Sequence, residues 1–132
     1  MVFHKDESQE VRAALNPLVE HRRKVIGKDQ IVKELEYRDG ETIDTWLVRH
    51  GVGVGNVIPA KIPFYVLLVG TPDKIPFEFG HLLDVQYSVG RLAFDTAEEY
   101  ARYAASVIEY ETADKLPNTR EAQFFGTHHM DD

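Results

Sequence analysis

The sequence predicts a layered α/β domain, a mostly parallel sheet flanked by helices. Three observations carry this. The run Phe64 to Gly70 is apolar without polar alternation and is bounded by Pro63 and Gly70, the pattern of a central strand buried on both faces. Helical spacing alternates with short strand-like runs along the chain, in the order strand, helices, strand, strand, helix, strand. The length of 132 residues, 43% apolar and 28% charged, suits a single domain over residues 1–132 with a genuine core.

Val2-Phe3-His4 is a short apolar start that turns polar at Lys5-Asp6-Glu7, as at the end of a strand. Ser8 is a good N-cap, and Val11, Leu15, Leu18 and Val19 follow at helical spacing. Pro17 predicts a kink or two abutting helices, ending near Gly27. Residues 28–40 fit helix or strand, with a turn signal at Asp39-Gly40. Ile43, Trp46, Leu47 and His50 mark a short amphipathic helix stopped by Gly51. A flexible connection over Gly51–Gly55 leads to the apolar strand, and Thr71-Pro72-Asp73 turns the chain after it. One or two irregular helical turns are expected over Pro76 to Leu83. Val85, Tyr87 and Val89 alternate with polar residues as a strand does. Thr96 and Glu99 form a capping box, and Ala97, Tyr100, Ala101, Ala104, Val107 and Ile108 line one face of a helix reaching about residue 112. Ala122 to Gly126 reads as a last strand. Strands at both ends of the chain suggest a fragment of a larger protein.

Composition narrows the function. A net charge of −7 argues against nucleic-acid binding, because phosphates require a basic face. The cluster His21-Arg22-Arg23-Lys24 sits where cations favour the C-terminal dipole of a helix. The longest apolar run, Phe64 to Val69, is too short to cross a bilayer, and the N-terminus lacks the apolar region of a signal peptide. A cytoplasmic location, with no membrane association, is the resulting expectation. With no cysteine, the chain has no disulfide, thiolate nucleophile or Cys-based zinc site. No cofactor is expected.

Several constellations invite chemistry. Gly51, Gly53 and Gly55 precede a strand, whereas a dinucleotide loop follows one and opens a helix. Thr71 and Asp73 lie at the carboxyl end of the apolar strand, where open α/β sheets bind ligands. The competing reading of Asp73 is a turn residue accepting local backbone bonds. His81 and Asp84, spaced i, i+3, could meet on a helical face as a base and its orienting carboxylate. A surface ion pair is the commoner meaning of that spacing. Arg91 could hold an anion or pair with Asp84 or Asp95. His128, His129, Asp131 and Asp132 are dense in metal-ligand types, but adjacent histidines on an extended chain point opposite ways, so no metal site is assigned.

The stretch Ile62–Glu111 resembles the first half of the gingipain-like branch of caspase-fold cysteine peptidases. The resemblance is carried by a buried strand ending Leu-Val-Gly, then Asp84-Val-Gln-Tyr87-Ser-Val-Gly90-Arg91-Leu92, then Asp95-Thr96-Ala-Glu-Glu99 and a helix closing on Ile108-Glu-Tyr110-Glu111. It implies that Asp84, Tyr87, Gly90 and Arg91 are structural elements fixing a strand against an adjoining half. It also implies that the nucleophilic Cys and a His-Gly belong to that second half, of which Ala122–Gly126 would be the first strand. His50-Gly51 precedes the core strand and takes no catalytic role. No catalytic residue is therefore assigned to this chain. The expectation is a non-catalytic N-terminal subdomain whose partner is the remainder of its own polypeptide. The alternatives are a self-association or protein-interaction module, and a small independent hydrolase using Asp73, His81 and Asp84.

Overall fold

The computed structural model describes residues 1–26 and 32–114. They form four strands, β1 (Val2–His4), β2 (Leu35–Tyr37), β3 (Tyr65–Val69) and β4 (Ser88–Leu92), and four helices, α1 (Gln9–Ile26), α2 (Ile43–Arg49), α3 (Phe77–Asp84) and α4 (Ala97–Thr112). All three strand pairings are parallel, and the sheet order is β2-β1-β3-β4. The layered parallel-sheet α/β class expected from the sequence is thus present. The expected strand Ala122–Gly126, the residues His128 to Asp132 and the expected helix stop at Gly27 lie outside the described residues.

Two cores result from the alternation of side chains along the strands. On one face, Val2, Val66 and Leu68 pack with Trp46 and Leu47 of α2 and Phe79 and Leu83 of α3. On the other, Phe3 and Val69 pack with Val11, Leu15 and Leu18 of α1 and Tyr100 and Ala104 of α4. Trp46 is fully buried, and its Nε1 donates to the Glu36 carbonyl at 2.7 Å. Arg49 Nη2 donates to the same carbonyl at 2.6 Å. The outward carbonyl of β2 is thereby taken by side chains of α2. The outer edge of β4 has no neighbouring strand among the described residues.

Four expectations need correction. β3 is central, but its first residue, Tyr65, is 80% exposed, and Phe64 before it is also exposed. Only Val66, Leu68 and Val69 are deeply buried, because an open groove lined by Leu18, Arg22, Tyr65 and Tyr103 separates the amino end of the strand from α1 and α4. α1 runs through Pro17 without a break. Packing of its apolar face on the sheet and on α4 outweighs the lost bond and the ring clash, which cost about 3 kcal/mol. α3 is a regular helix rather than irregular turns. β4 starts at Ser88, three residues after the expected start, because Tyr87 continues the turn out of α3, its N–H donating to the Leu83 carbonyl.

The capping box of α4 is complete: Thr96 Oγ1 accepts from the Glu99 N–H, and Glu99 Oε2 accepts from the Thr96 N–H. Those bonds hold the Glu99 carboxyl below its ordinary range. Ser8 Oγ accepts from the Val11 N–H at 3.2 Å and so caps α1 as expected. At the far end, His21 and Arg22 of α1 pair with Glu111 of α4, which accounts for half of the basic cluster.

Candidate functional site

The four parallel strands deliver their carboxyl ends to one edge of the sheet. The connections leave β1 and β3 in opposite directions, so a crevice opens between those two strand ends. A cavity of about 410 Å³ lies there, lined by Glu7, Ser8, Thr71, Lys74, Thr96 and Tyr100 among others. Its floor carries a charge pair. The Glu7 side chain is 3% exposed, and both of its oxygens accept from Lys74 Nζ, at 3.0 and 3.1 Å. Glu7 Oε1 also accepts from the Ser8 N–H. Gly70 closes this corner at φ +126°, a conformation only glycine adopts without strain. A β-carbon there would lie 3.5 Å from Glu7 Oε2, so backbone conformation rather than crowding demands the glycine.

A second polar group adjoins it at the end of β1. His4 Nε2 lies 2.7 Å from Asp39 Oδ1, and His4 Nδ1 accepts from the Asp6 N–H at 3.2 Å. An Nδ1 that accepts leaves the proton on Nε2, which donates to Asp39. The Asp39 carboxyl is held below its ordinary range by His4 first and Lys5 second. His4, Asp6 and Asp39 could in principle surround a cation, their ligand atoms lying within 4.8 Å of one another. Two features oppose this. Nε2 has no free lone pair, and Lys5 Nζ already pairs with both carboxylates, at 3.2 Å from Asp39 and 3.4 Å from Asp6.

The residues singled out from sequence are scattered along this edge and behind it. Thr71 lines the cavity, its carbonyl accepting from the Lys74 and Ile75 N–H groups. Asp73 is exposed on the following turn. His81 is exposed and stacks on Phe77, with ring centroids 6.1 Å apart. It makes no bond to Asp84, whose Oδ1 instead accepts from the Val89 N–H at 3.1 Å. Tyr87 is buried in the α2/α3 core with its hydroxyl unpaired among the described residues, and that burial raises its pKa. Gly90 is exposed on β4, with Leu67 Cδ1 3.6 Å from where its β-carbon would be. Arg91 pairs with neither Asp84 nor Asp95. Its Nη1 donates to the Gly70 carbonyl at 2.9 Å and its Nη2 to the Pro76 carbonyl at 3.3 Å.

The structure therefore brings Thr71 to the crevice and ties Arg91 to its rim, but it does not assemble Asp73, His81 and Asp84. Sequence reasoning missed Glu7 and Lys74. They lie 67 residues apart, and neither belongs to a motif. The available signal was positional: each follows a strand end in a parallel sheet. Among the described residues no serine or threonine hydroxyl is bonded to a histidine, and the chain has no thiol, so no nucleophile and base stand together. No described helix is long and apolar enough to cross a membrane. Comparisons with protein-family models, curated proteins and solved structures find no significant match.

Proposed function

We propose that this chain is the non-catalytic α/β half of a gingipain-like cysteine peptidase, supporting a second half that supplies Cys and His. The observation that carries the reading is the contrast between the two sheet edges. On β2 the outward Glu36 carbonyl is taken by Trp46 and Arg49, whereas on the outer edge of β4 Asp84 takes only the Val89 N–H and no strand pairs with the rest among the described residues. Exposed Phe64, Tyr65, Phe77 and Val85 lie before and within the β3–β4 unit. An open edge flanked by apolar side chains suits continuation of the sheet. The order of motifs from Asp84 to Glu111 points to the same kind of protein. In the intact molecule the chemistry is attack of a Cys thiolate on a peptide carbonyl with histidine assistance. This chain contributes the wall against which that machinery is mounted.

The test is the polypeptide encoded beyond Asp132. Its product should carry a His-Gly and a later Cys and should be labelled by a thiol-directed peptidase probe. Residues 1–132 alone should not be labelled. A reading frame that continues without those residues sinks the proposal. The same open edge supports a second reading, self-association of this chain. Sedimentation that finds only monomer at high concentration removes it. The independent-hydrolase reading has no support from the geometry, since Asp73, His81 and Asp84 are not assembled.

A further inference from the structure

We infer that the groove at the amino ends of β3 and β4 is the seat of this chain's own residues 122–126, with Phe124 and Phe125 as the side chains that fill it. The groove has a volume of about 1080 Å³ and a mostly apolar wall that includes Leu18, Leu67 and Tyr103. Its floor is the sheet face that carries α1 and α4. Leu67 and Leu92 pack on that face, so by alternation Tyr65, Ser88 and Gly90 lie on it too. Neither helix covers the face there. Tyr65 is 80% exposed, and a β-carbon on Gly90 would meet nothing nearer than Leu67 Cδ1 at 3.6 Å. Apolar surface of this extent marks a place where another segment packs.

The occupant follows from where α4 delivers the chain. This helix starts at the carboxyl ends of the strands, where Thr96 lines the crevice. It ends at the amino ends, where Glu111 accepts from Arg22 of the groove wall at 2.6 Å. From Tyr103 to Thr112 it rises about 14 Å. The chain from Thr112 to Ala122 reaches up to about 33 Å, enough to bring Phe124 and Phe125 back to the groove. No other Phe, Tyr or Trp follows Tyr110. Charge agrees, since the lining holds the cations Arg22 and Lys33 and no carboxylate among the described residues, while Asp131 and Asp132 follow the phenylalanines.

Topology favours this face over the outer edge of β4. The crossovers β1–α1–β2 and β3–α3–β4 move in opposite directions along the sheet with their helices on opposite faces, so they share one hand. α4 lies on the α1 face. A parallel strand placed beyond β4 would therefore give its crossover the opposite hand, found in only about 2% of such connections. At the other edge the outward Glu36 carbonyl of β2 is already taken. The inference holds with or without a second half of the molecule.

Two measurements on the full chain test it. The sequence has no cysteine, so a nitroxide can be attached at one introduced site, Thr127→Cys, with both phenylalanines intact. The amide signals of Tyr65 and Gly90 should then broaden far more than those of Asp44 and Asp73, which lie away from the groove. Equal broadening across the domain overturns the inference. Broadening that also appears when the nitroxide and the 15N label are on separate chains in a mixture gives the groove to a second copy and overturns it too. The other measurement is hydroxyl-radical labelling. Phe124→Ser combined with Phe125→Ser should raise the labelling rate of Tyr65 about fivefold, the protection expected of a groove filled about 80% of the time. Phe77, which is 59% exposed on α3, should not change. An unchanged rate at Tyr65 overturns the inference. So does slow hydrogen exchange at the Arg91 N–H that the two substitutions release, because that bond marks a strand on the outer edge of β4. The nitroxide result decides the matter even where the double substitution perturbs folding.

Discussion

Replacing Lys74 with methionine removes the only cation bonded to the buried Glu7 carboxylate among the described residues. Breaking a buried pair from one side costs about 3–5 kcal/mol, because the other charge is left uncompensated. Two features of this pair lower the figure. Glu7 Oε1 keeps the Ser8 N–H, and Lys74 is itself 46% exposed, so water reaches the vacated side. A loss of about 2–3 kcal/mol is expected. Glu7→Gln removes the buried charge and frees Lys74 to turn into solvent, so it should cost only about 1 kcal/mol. Urea unfolding at pH 7, followed by circular dichroism with the slope unchanged, measures both. The reasoning rests on the asymmetry. If Lys74→Met costs less than about 1 kcal/mol, or no more than Glu7→Gln, then the Glu7 carboxylate is hydrated and the crevice floor is not a buried charge pair.

Three further outcomes follow from the same structure. Gly70→Ala forces a side chain into the φ +126° conformation and should lower stability by about 1–3 kcal/mol in thermal or urea unfolding, although space for the methyl exists. Thr96→Ala removes the N-cap of α4 and should cost about 1 kcal/mol, seen as a lower urea midpoint. The Met1 amine is buried against the Lys33 carbonyl, and burial pushes its pKa from 8.0 down to about 6. The unfolded chain therefore binds the proton more readily, so stability is full above pH 8 and falls as the pH drops from 8 to 6, by about 2 kcal/mol. His50, whose pKa burial also depresses, adds a loss in the same direction below its ordinary 6.5. A midpoint that stays level between pH 9 and pH 6 would show the amine to be exposed.

What could be read from the sequence was what local chemistry decides. The α4 capping box needs only Thr96 and Glu99, three residues apart, and the α2 stripe needs only the spacing of Ile43, Trp46 and Leu47. Both elements stand as expected. The strand β2 was ambiguous because three residues, Leu35 to Tyr37, are too few for a period to show. They become a strand because β1 offers a parallel partner in register. The run Val85 to Val89 alternates like a strand, yet Tyr87 is held by the turn out of α3 and its ring is spent on the core. The crevice itself was half legible. Thr71 and Asp73 follow from the carboxyl-end rule for parallel strands. Glu7 with Lys74, and His4 with Asp39, are contacts between distant stretches that no spacing announces.

The bond from the Val89 N–H to Asp84 has one more effect. In the β3–β4 ladder, Ser88 donates to Phe64 and Leu92 accepts from Gly70, so Val89 and Arg91 turn their backbone groups outward. Asp84 occupies the first of these outward donors. What remains for an incoming strand is the Val89 carbonyl and the two groups of Arg91. So short a template gives little to a strand that arrives in the wrong phase, and it limits the edge-to-edge growth by which exposed sheets polymerise. A single carboxylate thus acts as a stop at the head of the edge, admitting a partner at one offset while discouraging copies of the chain from zipping onto one another.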